Sequence, residues 1–175
     1  MIKQDLATNS GLWALWDYDT YKEVDNYQKW EPLFCEDADI KEQIKRKSFV
    51  PINIHEDGCF SFTLKIDEEL SDREQKYVFV KSEPYFFQSN GKLILSGLDS
   101  IHKDVNSSDA IIVDIADGFY SVQVYLISWD EEPGAYLDNG KINPDALSDF
   151  VVLVKPNANP ENVYRERVNT FSEDD

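Results

Sequence analysis

The run at residues 59–66, CFSFTLKI, constrains this chain more than any other feature. Phe60, Phe62, Leu64 and Ile66 fall on one side of an extended backbone; Ser61, Thr63 and Lys65 fall on the other. Successive side chains of a strand point to opposite faces, so a period of two with one apolar set describes a strand with one buried face. Residues 119–129 (FYSVQVYLISW) extend the pattern. Tyr120, Val122, Val124 and Leu126 make its buried face, while Phe119, Ser121, Gln123, Tyr125, Ile127 and Trp129 make an amphipathic one. Shorter strands are predicted at 76–81 (KYVFVK), continued at 85–88 past Pro84, and at 92–96, 111–115 and 150–154. In residues 12–17 (LWALWD) both alternating sets are apolar, which predicts a strand covered on two sides. Asp57-Gly58, Asn90-Gly91 and Asp117-Gly118 read as turns, the second as a hairpin into 92–96.

These runs predict a mainly β chain, an antiparallel β-sandwich. One peripheral helix is predicted at about 36–47 (EDADIKEQIKRK). Its acids lead, and Lys45, Arg46 and Lys47 close it, matching the helix dipole. Ile40 and Ile44 share one narrow apolar stripe. The 175 residues fit a single domain over 1–175, with a core at about 11–155. Residues 1–10 read as polar and loose, and 156–175 as a tail with a short helix around 161–168.

Charge narrows the function. There are 34 acids against 17 bases, a net charge of −17. Nucleic-acid binding needs a basic footprint, and this chain would repel phosphate. Between residues 104 and 150 ten acids face a single base, Lys141. Such a stretch serves solubility, and it also steers a basic partner toward the surface. No apolar run approaches the ~20 residues of a membrane helix. The start lacks a signal-peptide h-region, so the expected compartment is the cytoplasm.

Catalytic chemistry finds no foothold. His55 and His102 lie beside turn-like sequence, without a nucleophile or second ligand at useful spacing. Cys35 precedes Glu36 and Asp37, which oppose a thiolate, and Cys59 reads as a buried thiol in a strand. A bridge between the two cysteines is left open. The phosphate-loop, dinucleotide, serine-elbow and zinc-protease motifs are all missing. The oxygen-rich segment 138–145 (DNGKINPD) departs from the EF-hand pattern and reads as a polar turn. No enzyme, cofactor or metal site is therefore expected.

Several short motifs in chain order carry a resemblance. They are Tyr18 and Tyr21, Trp30, Phe60 with Phe62, Glu74 with Lys76, Pro84 with Phe86, Asn90-Gly91, and Asp117-Gly118-Phe119-Tyr120. Over residues 18–130 the chain resembles the bacterial competence-nuclease inhibitor (ComJ-type) family, and immunity-like sandwiches of similar build. Roughly fifty residues after Trp129 run past the span of that resemblance. The resemblance implies a small sandwich that binds and blocks a nuclease. A basic protein partner, a nuclease or toxin, agrees with the acidity, because a nuclease cleft is itself basic. The expected binding face is Trp129 as aromatic anchor with Asp130, Glu131, Glu132, Asp138 and Asp145. The rival expectation is a carbohydrate-binding or carbohydrate-active sandwich using exposed Trp and Asp.

Overall fold

The pattern of turns dictates the architecture. In the computed structural model, which describes residues 1–172, the short turns at 9–11, 54–57, 90–91 and 115–117 carry the chain from one sheet to the other. One sheet orders β1 (Ile2–Thr8), β4 (Gly58–Ile66), β10 (Phe150–Pro156), β9 (Gly118–Ile127) and β5 (Val78–Lys81), and β6 (Tyr85–Ser89) lies on the same edge of β9 as a second short strand. The other sheet orders β3 (Phe49–Asn53), β2 (Leu12–Asp17), β7 (Lys92–Gly97) and β8 (Ala110–Asp114). The chain is thus a mainly β, two-sheet sandwich, as the alternating runs predict.

Its pairings are antiparallel with one exception: β10 runs parallel to β4, placing Phe150 beside Phe62. The Asn90-Gly91 turn also differs from expectation. It does not close a hairpin within one sheet, because β6 pairs with β9 while β7 pairs with β2 and β8. Gly91 takes a φ of 108°, a conformation that favours glycine. Asp17, fully buried at the end of β2, holds this crossing by accepting from the Asn90 backbone N–H at 2.8 Å and side-chain amide at 2.9 Å.

Aromatic rings knit the two sheets. Trp13 of β2 lies 5.6 Å from Phe62 of β4 and meets Phe60 edge-on at 5.2 Å. Phe62 stacks on Phe150 at 5.0 Å. The indole N–H of Trp13 donates to the Leu6 carbonyl at 3.0 Å, so its polar atom is also satisfied inside the core. Every residue of β2 is buried, as its doubly apolar sequence requires.

The expected helix is present as α3 (Asp37–Lys45), resting on Ile40 and Ile44. Among the described residues three others accompany it: α1 (Tyr18–Tyr21), α2 (Tyr27–Phe34) and α4 (Asp72–Lys76). α4 begins with a capping box in which Ser71 and Glu74 satisfy each other's backbone N–H groups. Residues 2–8 and 156–172 both take part in the fold, while the last three residues of the expected tail, 173–175, lie outside the described residues. Residues 2–8 form an edge strand whose Leu6 enters the core. No helix occurs at 161–168; after a turn at 159–162 the segment has no regular secondary structure, and it packs on the sandwich with Val168 in the core and Arg165 and Thr170 buried. The Thr170 hydroxyl accepts from Asn53 N–H at 2.8 Å and donates to the Pro51 carbonyl at 2.9 Å, filling the outer edge of β3.

Candidate partner-binding site

β9 and β10 are adjacent antiparallel strands, yet residues 128–149 separate them. This connection folds back on the outer face of the first sheet. Tyr125, Ile127, Val151 and Leu153 form a second apolar cluster there, and Leu70, Tyr77, Val78, Trp129 and Leu147 pack against it. The outward face of β9, amphipathic by sequence, is therefore partly a buried face. Trp129 opens a 3-10 turn and is half-buried.

Asp149 pins the connection at both ends. It accepts the Trp129 indole N–H at 2.7 Å on one carboxylate oxygen and the Ser61 backbone N–H at 2.8 Å on the other. Its own carbonyl takes the Ile127 N–H at 2.8 Å. The Tyr136 ring lies 5.5 Å from that of Trp129, and Tyr136 bridges to Ile142 across the loop. Phe79, on the bulge of β5, joins Trp129, Asp130 and Tyr136 around a shallow groove of about 380 Å³. Phe79, Tyr136, Leu137 and Ile142 are all exposed, Phe79 at 72%.

The six residues expected at the binding face divide. Asp130, Glu131, Asp138 and Asp145 are exposed along the connection, and Trp129 is half-buried. Glu132 is committed internally. Arg73 of α4 grips both of its carboxylate oxygens, the Nη2–Oε2 contact at 2.6 Å, and also donates to the Asp145 carbonyl at 2.7 Å. The Arg73 hydrogen bond holds the Glu132 carboxyl below the usual carboxylate range. Glu132 thus anchors the loop to α4. Sequence reasoning missed Phe79, Tyr136, Ile142 and Asp149. Tyr136 and Ile142 carry the only local signal, as apolar residues flanking the Asn139-Gly140 turn.

The segment 138–145 spends its oxygens on its own backbone. Asn139 Oδ1 accepts the Lys141 N–H at 3.0 Å, and Asn143 Oδ1 accepts the Asp145 N–H at 2.9 Å. Among the described residues no group of three or more His, Cys, Asp or Glu side chains is placed to hold a metal ion. His55 is exposed, and His102 accepts the Asp104 N–H on Nδ1 at 3.1 Å. Cys35 and Cys59 are free and exposed. The buried thiol expected at Cys59 is thereby corrected. Cys59 shares the polar face of β4 with Ser61, near the strand's open end beside Ala7. No helix among the described residues is long and apolar enough to cross a membrane.

No protein-family model and no curated relative matches the chain. Solved structures do. The chain is similar to one described as Crocagin biosynthetic gene J, with a TM-score of 0.52 and 13% identity over 90% of this chain and 96% of that one. It also matches ComJ of Bacillus subtilis, described as the inhibitor of the DNA-degrading activity of NucA, with a TM-score of 0.48 and 10% identity over 89% of this chain and 96% of that one. At 90% coverage the first match extends beyond residues 18–130 and takes in part of the stretch after Trp129. At 13% identity the likeness to the first of these is one of fold.

Proposed function

We propose that this chain is a non-catalytic binding protein that docks a basic protein partner, a nuclease or toxin, and inhibits it by covering its phosphate-binding surface. One observation carries the reading: a half-buried Trp129 lies against exposed Tyr136 and lines one groove with Phe79 and Asp130 and another with Ile142, on a connection whose Asp130, Glu131, Asp138 and Asp145 are all exposed. An aromatic anchor inside a polar rim is the usual anatomy of an interface hot spot. The rim acids supply long-range attraction, which raises the association rate more than the final affinity. Glu132 lies outside that rim, because Arg73 already neutralises it. The ComJ-type motifs and the charge of −17 point the same way.

The test is capture by the immobilised chain from native lysate at low salt, followed by identification of what is retained and binding kinetics at increasing salt. A basic protein is expected, associating more slowly as the Debye length shrinks from about 30 Å at 0.01 M to about 8 Å at 0.15 M salt. Retention that survives Asp130→Lys and Glu131→Lys together would refute the proposed face. Glycan binding that Trp129→Ala abolishes would replace this reading with a sugar-binding one.

A further inference from the structure

The second sheet ends in β3 on one side and β8 on the other, and an end strand leaves every second residue's N–H and C=O facing outward. On β3 these outward groups are served, because the Thr170 hydroxyl bonds to both Asn53 and Pro51. β8 has no such cover. The Ile115 N–H donates to the Gly91 carbonyl at 3.1 Å, and this sets the alternation along the register with β7. Ile111, Val113 and Ile115 bond to the β7 side, while the backbone groups of Ile112 and Asp114 point away from it. Among the described residues no hydrogen bond reaches those outward groups. The start of the strand is closed, with Ala110 buried and the Gln4 side chain of β1 donating to the Ser107 and Ser108 carbonyls. Exposure then rises along β8, through partly exposed Ile112 and Val113 to exposed Asp114.

The surroundings select the occupant. Asp104, Asp109, Asp114 and Asp117 are all exposed, and residues 104–117 contain no base. Lys92 lies opposite Asp114 in the register, but its ammonium sits over the Tyr18 ring at 5.0 Å. A second copy pairing antiparallel about Ile112 would set Asp114 of each chain next to Asp109 of the other, and each chain carries a charge of −17. Like charges placed opposite each other on adjacent strands destabilise the pair, and opposite charges stabilise it.

We infer that β8 takes an extended basic segment of a protein partner as an added strand. Main-chain hydrogen bonds to Ile112 and Asp114 lengthen the second sheet, and cationic side chains of the segment lie beside Asp109, Asp114 and Asp117. This edge belongs to the other sheet from the connection between β9 and β10, so the inference stands or falls apart from the Trp129 surface.

The test uses the full chain and a blocked heptapeptide, Lys-Val-Lys-Val-Lys-Val-Lys, with amide NMR and hydrogen exchange. The same peptide with every backbone amide N-methylated keeps the charge and loses all strand donors; Glu-Val-Glu-Val-Glu-Val-Glu reverses the charge. In the free chain the Ile112 and Asp114 amides should exchange about tenfold or more faster than those of Ile111 and Val113. The lysine peptide is expected to bind saturably, with a Kd on the order of 0.1–1 mM, and at saturation to slow exchange at Ile112 and Asp114 about tenfold. The two comparators should leave that exchange unchanged. Asp114→Asn removes the charge alone, whereas Asp114→Pro also removes an outward N–H and no bond to β7, so the proline variant should bind about tenfold more weakly than the asparagine one. Should the proline variant fail to fold, the exchange measurements on the unaltered chain decide. Slow exchange of Ile112 and Asp114 in the free chain, equal binding of the N-methylated peptide, protection confined to other amides, or equal binding by two folded Asp114 variants would each overturn the inference. A chain that sediments as a dimer with these two amides protected would assign the edge to a second copy and overturn it as well.

Discussion

Lys65 and Glu74 form an ion pair at 2.5 Å whose side chains are only 5% and 6% exposed. The two are not equivalent. Glu74 Oε2 also accepts the Ser71 backbone N–H at 2.6 Å and the Ser71 hydroxyl at 2.8 Å. Lys65 Nζ has one further acceptor, the Glu69 carbonyl at 3.1 Å. Glu74→Gln strands an ammonium with neutral acceptors only, and should cost about 3 kcal/mol. Lys65→Met leaves a carboxylate that keeps its Ser71 bonds at the start of α4, and should cost about 1–2 kcal/mol. For a chain of this size those losses correspond to melting shifts of about 9 °C and about 4 °C. Calorimetry at neutral pH reads both, and a larger loss for Lys65→Met would refute the reasoning. pH supplies a second handle. Burial pushes the Glu74 carboxyl up, but the Lys65 and Ser71 hydrogen bonds outweigh it, and its pKa lies below the ordinary glutamate value of 4.5. The unfolded chain then takes up this proton more readily than the folded one. The stabilisation is complete above the unfolded value and is lost as pH falls through the folded one. The gap between wild type and Glu74→Gln should narrow below pH 4.5.

Gly97→Ala would place a Cβ 2.3 Å from the Ala7 carbonyl and 2.8 Å from Asp99 Oδ1, where β1 and β7 of opposite sheets approach. A loss of about 3 kcal/mol in urea unfolding is expected, and wild-type stability would disprove that close approach. Thr170→Val keeps the shape but removes the hydroxyl that serves Asn53 N–H and the Pro51 carbonyl, and should cost about 2–4 kcal/mol by the same assay. Cys35 and Cys59 are both exposed, so a thiol reagent should titrate both in the native protein; a thiol that reacts only after unfolding would contradict its placement.

How far the sequence foretold this structure depends on the range of the forces involved. β4 and β9 were legible because one apolar face repeats every second residue. β1 was not: its inward set is Gln4, Leu6 and Thr8, two of them polar, so the alternation in burial leaves no apolar period in the sequence. α2 hides behind Pro32 in its interior, although Asn26 caps it. α4 carries its signal in the Ser71–Glu74 capping box, which the strand pattern at 76–81 adjoins and masks. The tail segment is held by contacts such as Arg165 to Tyr85 at 3.0 Å, which no local pattern encodes. The same limit applied to the site. Trp129 and its acids were visible as a cluster, but the capture of Glu132 by Arg73 and the arrival of Phe79 are tertiary events.

The central claim is that the exposed acids around Trp129 attract a basic protein, whereas Glu132 serves the fold. The most direct measurement is the association rate of the captured partner with wild type, with Asp130→Lys/Glu131→Lys, and with Glu132→Gln, each at low and physiological salt. The account predicts a rate that falls with salt in wild type, drops about tenfold at low salt in the double reversal, and changes little in Glu132→Gln. Equal rates in wild type and the double reversal, with no dependence on salt, would contradict it.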